Sequence, residues 1–285
     1  MNVFEECIKC QNDFSYFAGT YLKVNHPKRG LVPFPLYDFQ KRLVLTYDEN
    51  RFVVVIKFRQ GGFSTLTTLY ALWQCMFHND RHFLFISKTD REAICLGKIV
   101  DLAIRNLPEE FRPFLSHSND HHKTFKCTNS EMWFLPPTAA CSKSFTHLVI
   151  DEAAFIPQME DHWQAMYPRL GDNGKCFVVS TVNGIGNWYE EIYRGAGTSN
   201  NFHAFDCSYT EHPEYNNAAW VEQMKKNLGE RGWMQEMECC FVGSTPTKQD
   251  ILRNTLRKIV DNPHSSEKDM IKNIQCKIYE ALESD

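Results

Sequence analysis

Two adjacent carboxylates, Asp151 and Glu152, end an apolar run in the middle of the chain. The segment 147–155 reads His-Leu-Val-Ile-Asp-Glu-Ala-Ala-Phe. A short apolar run of this kind is typical of a strand buried inside a parallel sheet. Carboxylates at the end of such a strand can hold Mg²⁺ and act as a catalytic base. The segment therefore predicts a buried sheet with a polar site where this strand ends.

A second apolar strand leads into a glycine-rich turn upstream. The run Phe52–Ile56 is followed by Lys-Phe-Arg-Gln-Gly-Gly-Phe-Ser-Thr at 57–65 and then by an apolar helical stretch. Gly61 and Gly62 allow backbone N–H groups to curl around an anion, and the next helix directs its positive end at the same place. The order strand, turn and helix predicts a phosphate-binding loop, in which Ser64 would ligate Mg²⁺.

The loop departs from the usual phosphate-loop pattern at one position. In the pattern G-x-x-x-x-G-K-[ST] a lysine directly precedes the hydroxyl residue, whereas this chain has Phe63 there. A cation is still required, and Lys57 and Arg59 at the front of the loop are the two candidates. A Gly-Gly-x-Ser-Thr turn alone is usually an ordinary connection. Together with the strand that ends in two carboxylates, it predicts a site for ATP and Mg²⁺.

These segments, in this order, resemble the ATPase domain of viral large terminase subunits, the motors that pump DNA into phage and herpesvirus capsids. The resemblance spans residues 36–243. In that family the phosphate loop often carries its lysine at the front, as Lys57 does, followed by an arginine and then Gly-aromatic-Ser, as at 62–64. The family's Walker B strand reads apolar-apolar-Asp-Glu-Ala-Ala-Phe, which residues 149–155 match.

Two further segments support the resemblance. Ser-Thr-Val-Asn-Gly at 180–184 matches the family's coupling motif, and Asn-Trp-Tyr at 187–189 fits its continuation. The match implies a coupling role for Ser180, Thr181 and Asn183, although an asparagine at this place is also a common helix cap or turn residue. Tyr-Asp-Phe-Gln at 37–40 resembles the motif whose glutamine contacts adenine, which makes Gln40 the implied base contact.

The resemblance implies a role for each residue of the site. Phosphoryl transfer depends mainly on positioning and charge neutralisation. The loop backbone and Lys57 would therefore bind the β- and γ-phosphates, while Ser64 and Asp151 would hold Mg²⁺. Glu152 would polarise the attacking water, and Arg59 would sense the γ-phosphate from within the subunit. The candidate nucleotide-binding residues of the loop are Gln60, Gly61, Gly62, Phe63, Ser64 and Thr65.

Strands and helices alternate along the chain, which predicts an α/β fold with a mainly parallel sheet flanked by helices. The resemblance makes this a P-loop NTPase core of the ASCE or RecA-like type. The other predicted elements are strands at 81–86, 175–180, 202–207 and 239–243, helices at 90–107, 186–193 and 218–238, and a hairpin over 123–135.

The expected organisation is a helical segment at 1–35, an ATPase domain at 36–243 and a short helical tail at 244–285. Large terminases normally continue into a nuclease domain that holds two metals. About 42 residues (285 minus 243) are too few for that fold. We therefore expect no nuclease activity from this chain, and a separate nuclease is a possible partner.

Composition restricts the class of protein without identifying it. A chain of 285 residues with 43% hydrophobic content indicates a packed core rather than disorder. The formal charge of −4 neither supports nor excludes DNA binding, which would need a local basic patch or a ring with a basic channel. Eleven cysteines without a signal peptide indicate a reducing cytosol. No apolar run approaches the ~20 residues that cross a membrane, so no membrane partner is expected.

The resemblance also implies partners and a location. They are double-stranded DNA, other copies of this chain in a ring, the portal and the small terminase subunit, in the host cytoplasm and transiently at the procapsid portal. A ring motor requires a finger arginine from a neighbouring subunit. Arg105 and Arg112 are candidates, although a surface arginine is usually only solvated.

Two metal-ligand patterns compete with this interpretation. Cys7 and Cys10 have zinc-knuckle spacing, but zinc requires four ligands and no second Cys-x-x-Cys follows. A denser group lies before and within the predicted hairpin, where solvated loop residues are expected. Its members are His117, His121, His122 and Cys127.

Two functions from other classes remain open. A helicase-like nucleic-acid-dependent ATPase shares this core but normally carries a second RecA-like domain, for which little sequence follows Gly243. A non-hydrolysing nucleotide-binding or capsid-interaction module is the binding-class alternative, because Phe63 replaces the usual lysine. ATP turnover distinguishes that module from the two enzymes, and strand separation distinguishes a helicase from a packaging motor.

Overall fold

The structure, a computed structural model, describes residues 2–142 and 144–241. The strands are β1 (Lys23–His26), β2 (Gly30–Pro33), β3 (Phe52–Ile56), β4 (His82–Ile86), β5 (Leu115–Ser118), β6 (His122–Phe125), β7 (Ser130–Leu135), β8 (Phe145–Asp151), β9 (Leu170–Ser180) and β10 (His203–Asp206). The α-helices are α1 (Val3–Asn12), α2 (Phe14–Tyr21), α3 (Asp38–Glu49), α4 (Phe63–Phe77), α5 (Asp90–Asn106), α6 (Met159–Met166), α7 (Trp188–Arg194) and α8 (Ala218–Glu236).

One eight-stranded sheet organises the fold, with strand order β10-β3-β9-β8-β4-β7-β6-β5. The strands from β10 to β7 run parallel, whereas β6 and β5 extend the sheet as antiparallel strands. Strand β9 pairs with β3 on one side and with β8 on the other. The carboxyl ends of β3 and β8 therefore lie at the same edge, one strand apart. The α/β fold with a mainly parallel sheet is confirmed.

The central strands form the core because both of their faces are covered. Every residue of β3 is buried, and β8 is buried at six of its seven positions. Continuous burial of Val and Ile residues is the pattern of a parallel sheet with helices on both faces. Strand β7, next to the antiparallel edge, instead alternates between buried and half-buried positions. The sheet is therefore buried on both faces where β3 and β8 flank the second half of β9.

Helix α5 shows how local sequence sets an element's boundaries. Thr89 and Glu92 form a capping box, in which the Thr89 hydroxyl accepts from the Glu92 N–H at 3.2 Å and the Glu92 carboxylate accepts from the Thr89 N–H at 3.1 Å. The helix ends one residue before Leu107, and Pro108 follows. The helix predicted at 90–107 is confirmed.

Part of the amino-terminal segment is not helical. Helices α1 and α2 lie in the predicted helical segment 1–35, but β1 and β2 follow them as an antiparallel hairpin. Gly30 has φ +67° at its turn, a conformation that favours glycine. Strands β1, β2 and β5 are short and mostly exposed, so they carry no run of buried apolar residues that would mark them in the sequence.

The strand predicted at 239–243 is wrong for its described residues, 239–241. Backbone groups after α8 close that helix instead of pairing with a sheet. The Cys240 N–H donates to the Met234 carbonyl at 2.8 Å, and Cys239 has φ +56°. Such bonds satisfy the free carbonyls of a helix end. The tail predicted at 244–285 lies outside the described residues.

The chain divides into two compact units. The first comprises residues up to 182 together with 186–207 and contains the whole sheet. The described part of the second comprises 183–185 and 208–241. In the second unit Trp233 is buried against the rings of Tyr209 and Trp220, and Gly229 interrupts α8 with φ +69°. None of the described helices is long and apolar enough to cross a lipid bilayer.

Candidate nucleotide-binding site

Side chains from the carboxyl ends of β3 and β8 meet a side chain from the first turn of α4. The Lys57 ammonium lies 2.9 Å from Ser64 Oγ, 3.2 Å from Asp151 Oδ1 and 2.9 Å from Glu152 Oε1. The Ser64 hydroxyl donates to Asp151 Oδ1 at 2.8 Å. Strands β3 and β8 run parallel with only β9 between them, which brings these residues together although 94 positions separate Lys57 from Asp151.

Lys57 carries a positive charge in a nearly dry position, with 6% of its surface exposed. Burial by itself would lower the pKa of Lys57. The charges of Asp151 and Glu152, with their hydrogen bonds, outweigh burial and raise the pKa above its ordinary value. The ammonium therefore stays protonated at neutral pH. A fixed cation beside two carboxylates is chemically suited to bind phosphate oxygens.

Glu152 has an unusual backbone for a residue other than glycine. Its φ of +55° and ψ of +37° lie in the left-handed region, and its N–H donates to the Val179 carbonyl at 2.8 Å. Residues held in such conformations cost about 1 kcal/mol or more and cluster at functional sites. Its Oε2 is buried and has no hydrogen-bond partner within the described residues. The carboxylate thus has one oxygen held by Lys57 and one available for other chemistry.

The glycine-rich turn has left-handed backbone at two positions. Gln60 and Gly62 have φ of +64° and +76°, and Gly62 caps α4 by accepting from the Leu66 N–H at 2.8 Å. The N–H groups of the first helical turn have no partners within the helix. A side chain at Gly61 would lie 2.5 Å from the Phe63 ring. The turn therefore requires its glycines, and the predicted binding of an anion there stays a prediction.

Two other candidate residues take different positions in the loop. Arg59 is exposed just after Lys57, and Thr65 is half-buried in the first turn of α4. Their predicted roles in binding nucleotide and in sensing the γ-phosphate remain predictions.

Phe63 explains how the loop departs from the usual pattern. Its side chain is 1% exposed and packs against Phe39 and Phe58, with ring centroids 5.5 and 5.4 Å apart. The aromatic ring therefore anchors the loop to the core instead of facing a phosphate. The residue that stands in place of the usual lysine therefore serves packing, and the predicted role of Lys57 as the cation stays a prediction.

The burial of Phe63 predicts that its side chain contributes to the stability of the fold. We expect Phe63→Ala to lower the free energy of unfolding by about 3–5 kcal/mol, the range for removing a buried aromatic side chain. Phe114→Ala should change it by about 0.5 kcal/mol or less, because Phe114 is 60% exposed. Urea denaturation of both variants measures the difference. Equal effects would contradict the anchoring role of Phe63.

Gln40 is also buried, with 1% of its surface exposed. Its Oε1 accepts from the Tyr37 N–H at 3.1 Å, and its Nε2 donates to the Gly61 carbonyl at 3.2 Å. Helix α3 therefore contacts the glycine-rich turn through this amide. The sequence predicted a contact with adenine at this residue.

The end of β9 connects the two strands that carry the site. Ser180 Oγ accepts from the Ala154 N–H at 3.2 Å, and the Ser180 carbonyl accepts from the Lys57 N–H at 3.0 Å. Thr181 is buried, and its hydroxyl has no partner within the described part of the chain. Asn183 belongs to the second unit, so its predicted coupling role stays a prediction.

Sequence reasoning did not assign a role to Tyr189. Its buried hydroxyl donates to the carbonyls of Val55 at 2.8 Å and Ser180 at 3.1 Å. The side chain therefore ties β3 to β9 directly behind the site. The sequence feature that could have pointed to Tyr189 is its position in Asn-Trp-Tyr at 187–189, just after the predicted coupling motif.

Neither arginine suggested as a finger lies at the Lys57 cluster. Arg112 donates to the carbonyls of Leu107 at 2.9 Å and Arg105 at 3.4 Å, which holds the chain after α5. Arg105 is exposed in the last turn of that helix. The predicted finger role of either arginine stays a prediction.

The donor set at Lys57 fits Mg²⁺ better than zinc. Ser64, Asp151 and Glu152 offer oxygen atoms, and Mg²⁺ is usually bound by one or two carboxylates with substrate phosphates. Across the described ranges, no group of three or more His, Cys, Asp and Glu side chains could hold a metal. The histidines that the sequence offered as metal ligands have other contacts. His121 Nε2 forms a hydrogen bond with Asp90 Oδ1 at 2.8 Å, and the ring of His122 stacks on Trp133.

Solved structures share this fold. The chain matches the Thermus phage P74-26 large terminase ATPase domain with TM-score 0.59 and 19% identity, over 73% of this chain and 95% of that one. It matches the large terminase of a thermophilic bacteriophage in complex with ADP with TM-score 0.58 and 14% identity, over 73% and 54% of the two chains. The HK97 bacteriophage large terminase matches with TM-score 0.52 and 13% identity, over 96% and 51%.

The fold is thus that of a P-loop ATPase with a mainly parallel sheet. More particularly, it is the fold of phage large terminase ATPase domains. The chain spans about half the length of the longer terminases it matches. No protein-family model matches the sequence.

Proposed function

We propose that this protein is a Mg²⁺-dependent ATPase that acts as the motor subunit of a viral DNA-packaging machine. The observation that carries the proposal is the meeting of Lys57, Ser64, Asp151 and Glu152 where β3 and β8 end beside the glycine-rich turn. A cation, a hydroxyl and two carboxylates are the groups that bind and hydrolyse a nucleoside triphosphate.

The phosphate chain of ATP binds at the turn before α4. Backbone N–H groups of the turn and the first helical turn donate to the phosphate oxygens, and the Lys57 ammonium neutralises their charge. Lys57 is held by Asp151 and Glu152 in this structure, so binding ATP exchanges carboxylate contacts for phosphate contacts. Ser64 and Asp151 would hold Mg²⁺, which neutralises charge on the phosphates when bound.

Glu152 is the general base in this proposal. Its left-handed backbone fixes the carboxylate at the end of β8, and its buried Oε2 is available to accept a proton. The attacking water gives up its proton to that oxygen as the water's oxygen bonds to the γ-phosphorus. The bond from the γ-phosphorus to the bridging oxygen then breaks, releasing ADP and phosphate. A positioned base contributes about 10²–10⁴-fold to such a step.

Coupling to movement would begin at the end of β9. Ser180 contacts the turn after Asp151 through the Ala154 N–H and the loop strand through the Lys57 N–H. A shift of either strand end on hydrolysis therefore reaches Ser180 directly. Asn183, three residues later, would pass that shift to the second unit.

We propose that ATP hydrolysis by this protein drives the packaging of double-stranded DNA. The fold that it shares with phage large terminase ATPase domains supports this proposal. In this assignment several copies of the chain form a ring on the portal, with a small terminase subunit and a nuclease as further partners. The reaction would take place in the host cytoplasm.

If the subunits act in a ring, the rate of ATP hydrolysis per subunit should depend on the protein concentration. An arginine supplied by a neighbouring subunit stabilises transition-state charge, so isolated subunits should hydrolyse ATP slowly. Turnover per subunit, measured by phosphate release, should rise severalfold with protein concentration and with added portal and linear double-stranded DNA. Turnover independent of concentration and DNA would contradict the packaging assignment. Strand separation would instead support a helicase, and binding without turnover a non-hydrolysing module.

A further inference from the structure

We infer that an exposed surface of the first unit, formed by α5 and the β1–β2 hairpin, binds the phosphate backbone of double-stranded DNA. The inference rests on the proposed function for the nature of the partner, and it adds a binding surface that the ATP site does not include. The observation that supports it is the distribution of charge. A chain with a formal net charge of −4 can bind a polyanion only where cations gather locally without competing acidic side chains.

Three cations lie along one exposed line of α5. Arg91, Lys98 and Arg105 are exposed and follow one another at intervals of seven residues, close to two full turns of an α-helix. Their side chains therefore leave the helix on the same face. Within residues 2–142 and 144–241, these three side chains form no ion pair or hydrogen bond. Their charges are available to an external anion.

The acidic side chains of α5, in contrast, all have partners within the protein. Asp101 Oδ1 lies 2.7 Å from the ammonium of the buried Lys123, and Asp90 Oδ1 lies 2.8 Å from His121 Nε2. Glu92 accepts hydrogen bonds in the capping box at the start of the helix. The helix therefore presents cations, and no unpartnered acidic group, on its exposed side.

The β1–β2 hairpin extends this positive charge, because β1 packs against α5. No aspartate or glutamate occurs between Asp13 and Asp38, so the hairpin at 23–33 carries none. Lys23 and Lys28 are exposed on it and form no ion pair with any described residue. These two lysines and the three cations of α5 form one continuous surface, which we call the basic surface.

The dimensions and chemistry of the basic surface suit the backbone of a duplex. The line from Arg91 to Arg105 spans about 21 Å at 1.5 Å per residue, roughly the axial length of six phosphates along one strand of B-DNA. Surfaces for single strands add aromatic side chains on which bases stack, but neither 23–33 nor 90–106 contains Phe, Tyr or Trp. Beyond α5 the exposed Glu109 and Glu110 limit the surface. It is therefore suited to contact duplex phosphates without reading their sequence.

Affinity for a short labelled duplex, measured by fluorescence anisotropy without nucleotide, tests the inference. Arg91→Ala/Lys98→Ala/Arg105→Ala should weaken binding by about tenfold or more at low salt, and the plot of log affinity against log salt should become shallower by up to about 3. Lys23→Ala/Lys28→Ala should act in the same direction with a smaller effect. Arg91→Lys/Lys98→Arg/Arg105→Lys keeps every charge and should bind nearly as the wild type does.

Lys225→Ala/Lys226→Ala/Arg231→Ala is the matched control. It removes three charges from exposed positions of α8, so its net charge equals that of the triple variant in α5. Its affinity for the duplex should stay close to that of the wild type. Exposed substitutions usually change stability by about 0.5 kcal/mol or less, and a thermal unfolding transition like that of the wild type shows that each variant is folded.

Several outcomes would overturn the inference. They are no binding of the duplex by the wild-type chain, unchanged affinity in the triple variant of α5, and an equal loss in the α8 control. Single-stranded DNA bound as tightly as the duplex, or polyglutamate displacing the duplex at equal charge, would also reject a surface for duplex backbone. Duplex binding that is lost in the α5 variant, by a wild-type chain that does not hydrolyse ATP, would support the surface and reject the proposed ATPase.

Discussion

Glu152→Gln should retain ATP binding while the rate of hydrolysis falls by about 10²-fold or more. The glutamine has the same shape as glutamate but cannot accept a proton from water, and a positioned general base contributes about 10²–10⁴-fold. Binding persists because the loop and Lys57, and not Glu152, contact the phosphates in the proposed site. Calorimetry with ATP and a phosphate-release assay measure the two quantities.

Asp101→Asn is the control for this variant. Asp101 pairs with the buried Lys123 at 2.7 Å, so the control also removes a carboxylate charge from an ion pair with a buried lysine. Its turnover should remain close to that of the wild type. Turnover of Glu152→Gln at the wild-type rate would assign the base to another residue.

Lys57→Ala should have the largest effect on nucleotide affinity. The substitution removes the cation of the site and leaves two carboxylates, Asp151 and Glu152, facing the phosphates. Removing one partner of a buried charge pair costs about 2–5 kcal/mol, so ATP affinity should fall by roughly 30-fold to more than 10³-fold. The measurement is ATP affinity in Mg²⁺.

The loss of ATP affinity in Lys57→Ala should be compared with that in two other variants of the loop. Phe63→Leu keeps the apolar bulk of a side chain that faces the core and should change affinity least. Arg59→Ala should have an intermediate effect, since Arg59 is exposed at the front of the loop. A larger loss in Phe63→Leu than in Lys57→Ala would mean that the cation of the loop had been assigned wrongly.

Sequence alone could predict the strands that carry the site because their signals are local and strong. Strands β3 and β8 are apolar runs that end in functional residues, and the glycines between β3 and α4 mark the turn. A parallel sheet then brings strand ends to one edge. The meeting of Lys57 with Glu152 follows from these two facts.

Other features depend on tertiary packing and could not be predicted. A glutamine near a loop can face the ligand or the loop, and the buried direction of Gln40 is set by how α3 packs. Phe63 was placed in the loop by its position, but its contacts with Phe39 and Phe58 come from a different part of the chain. The left-handed backbone of Glu152 is likewise imposed by the turn after β8, since glutamate has no preference for it.

A crystal structure of the chain with Mg²⁺ and a non-hydrolysable ATP analogue tests the central claim most directly. The account predicts that the phosphate chain lies against residues 60–64, with the Lys57 ammonium within hydrogen-bonding distance of a phosphate oxygen and Glu152 facing the γ-phosphate. An analogue bound elsewhere, with Lys57 still held by Asp151 and Glu152, would contradict the account.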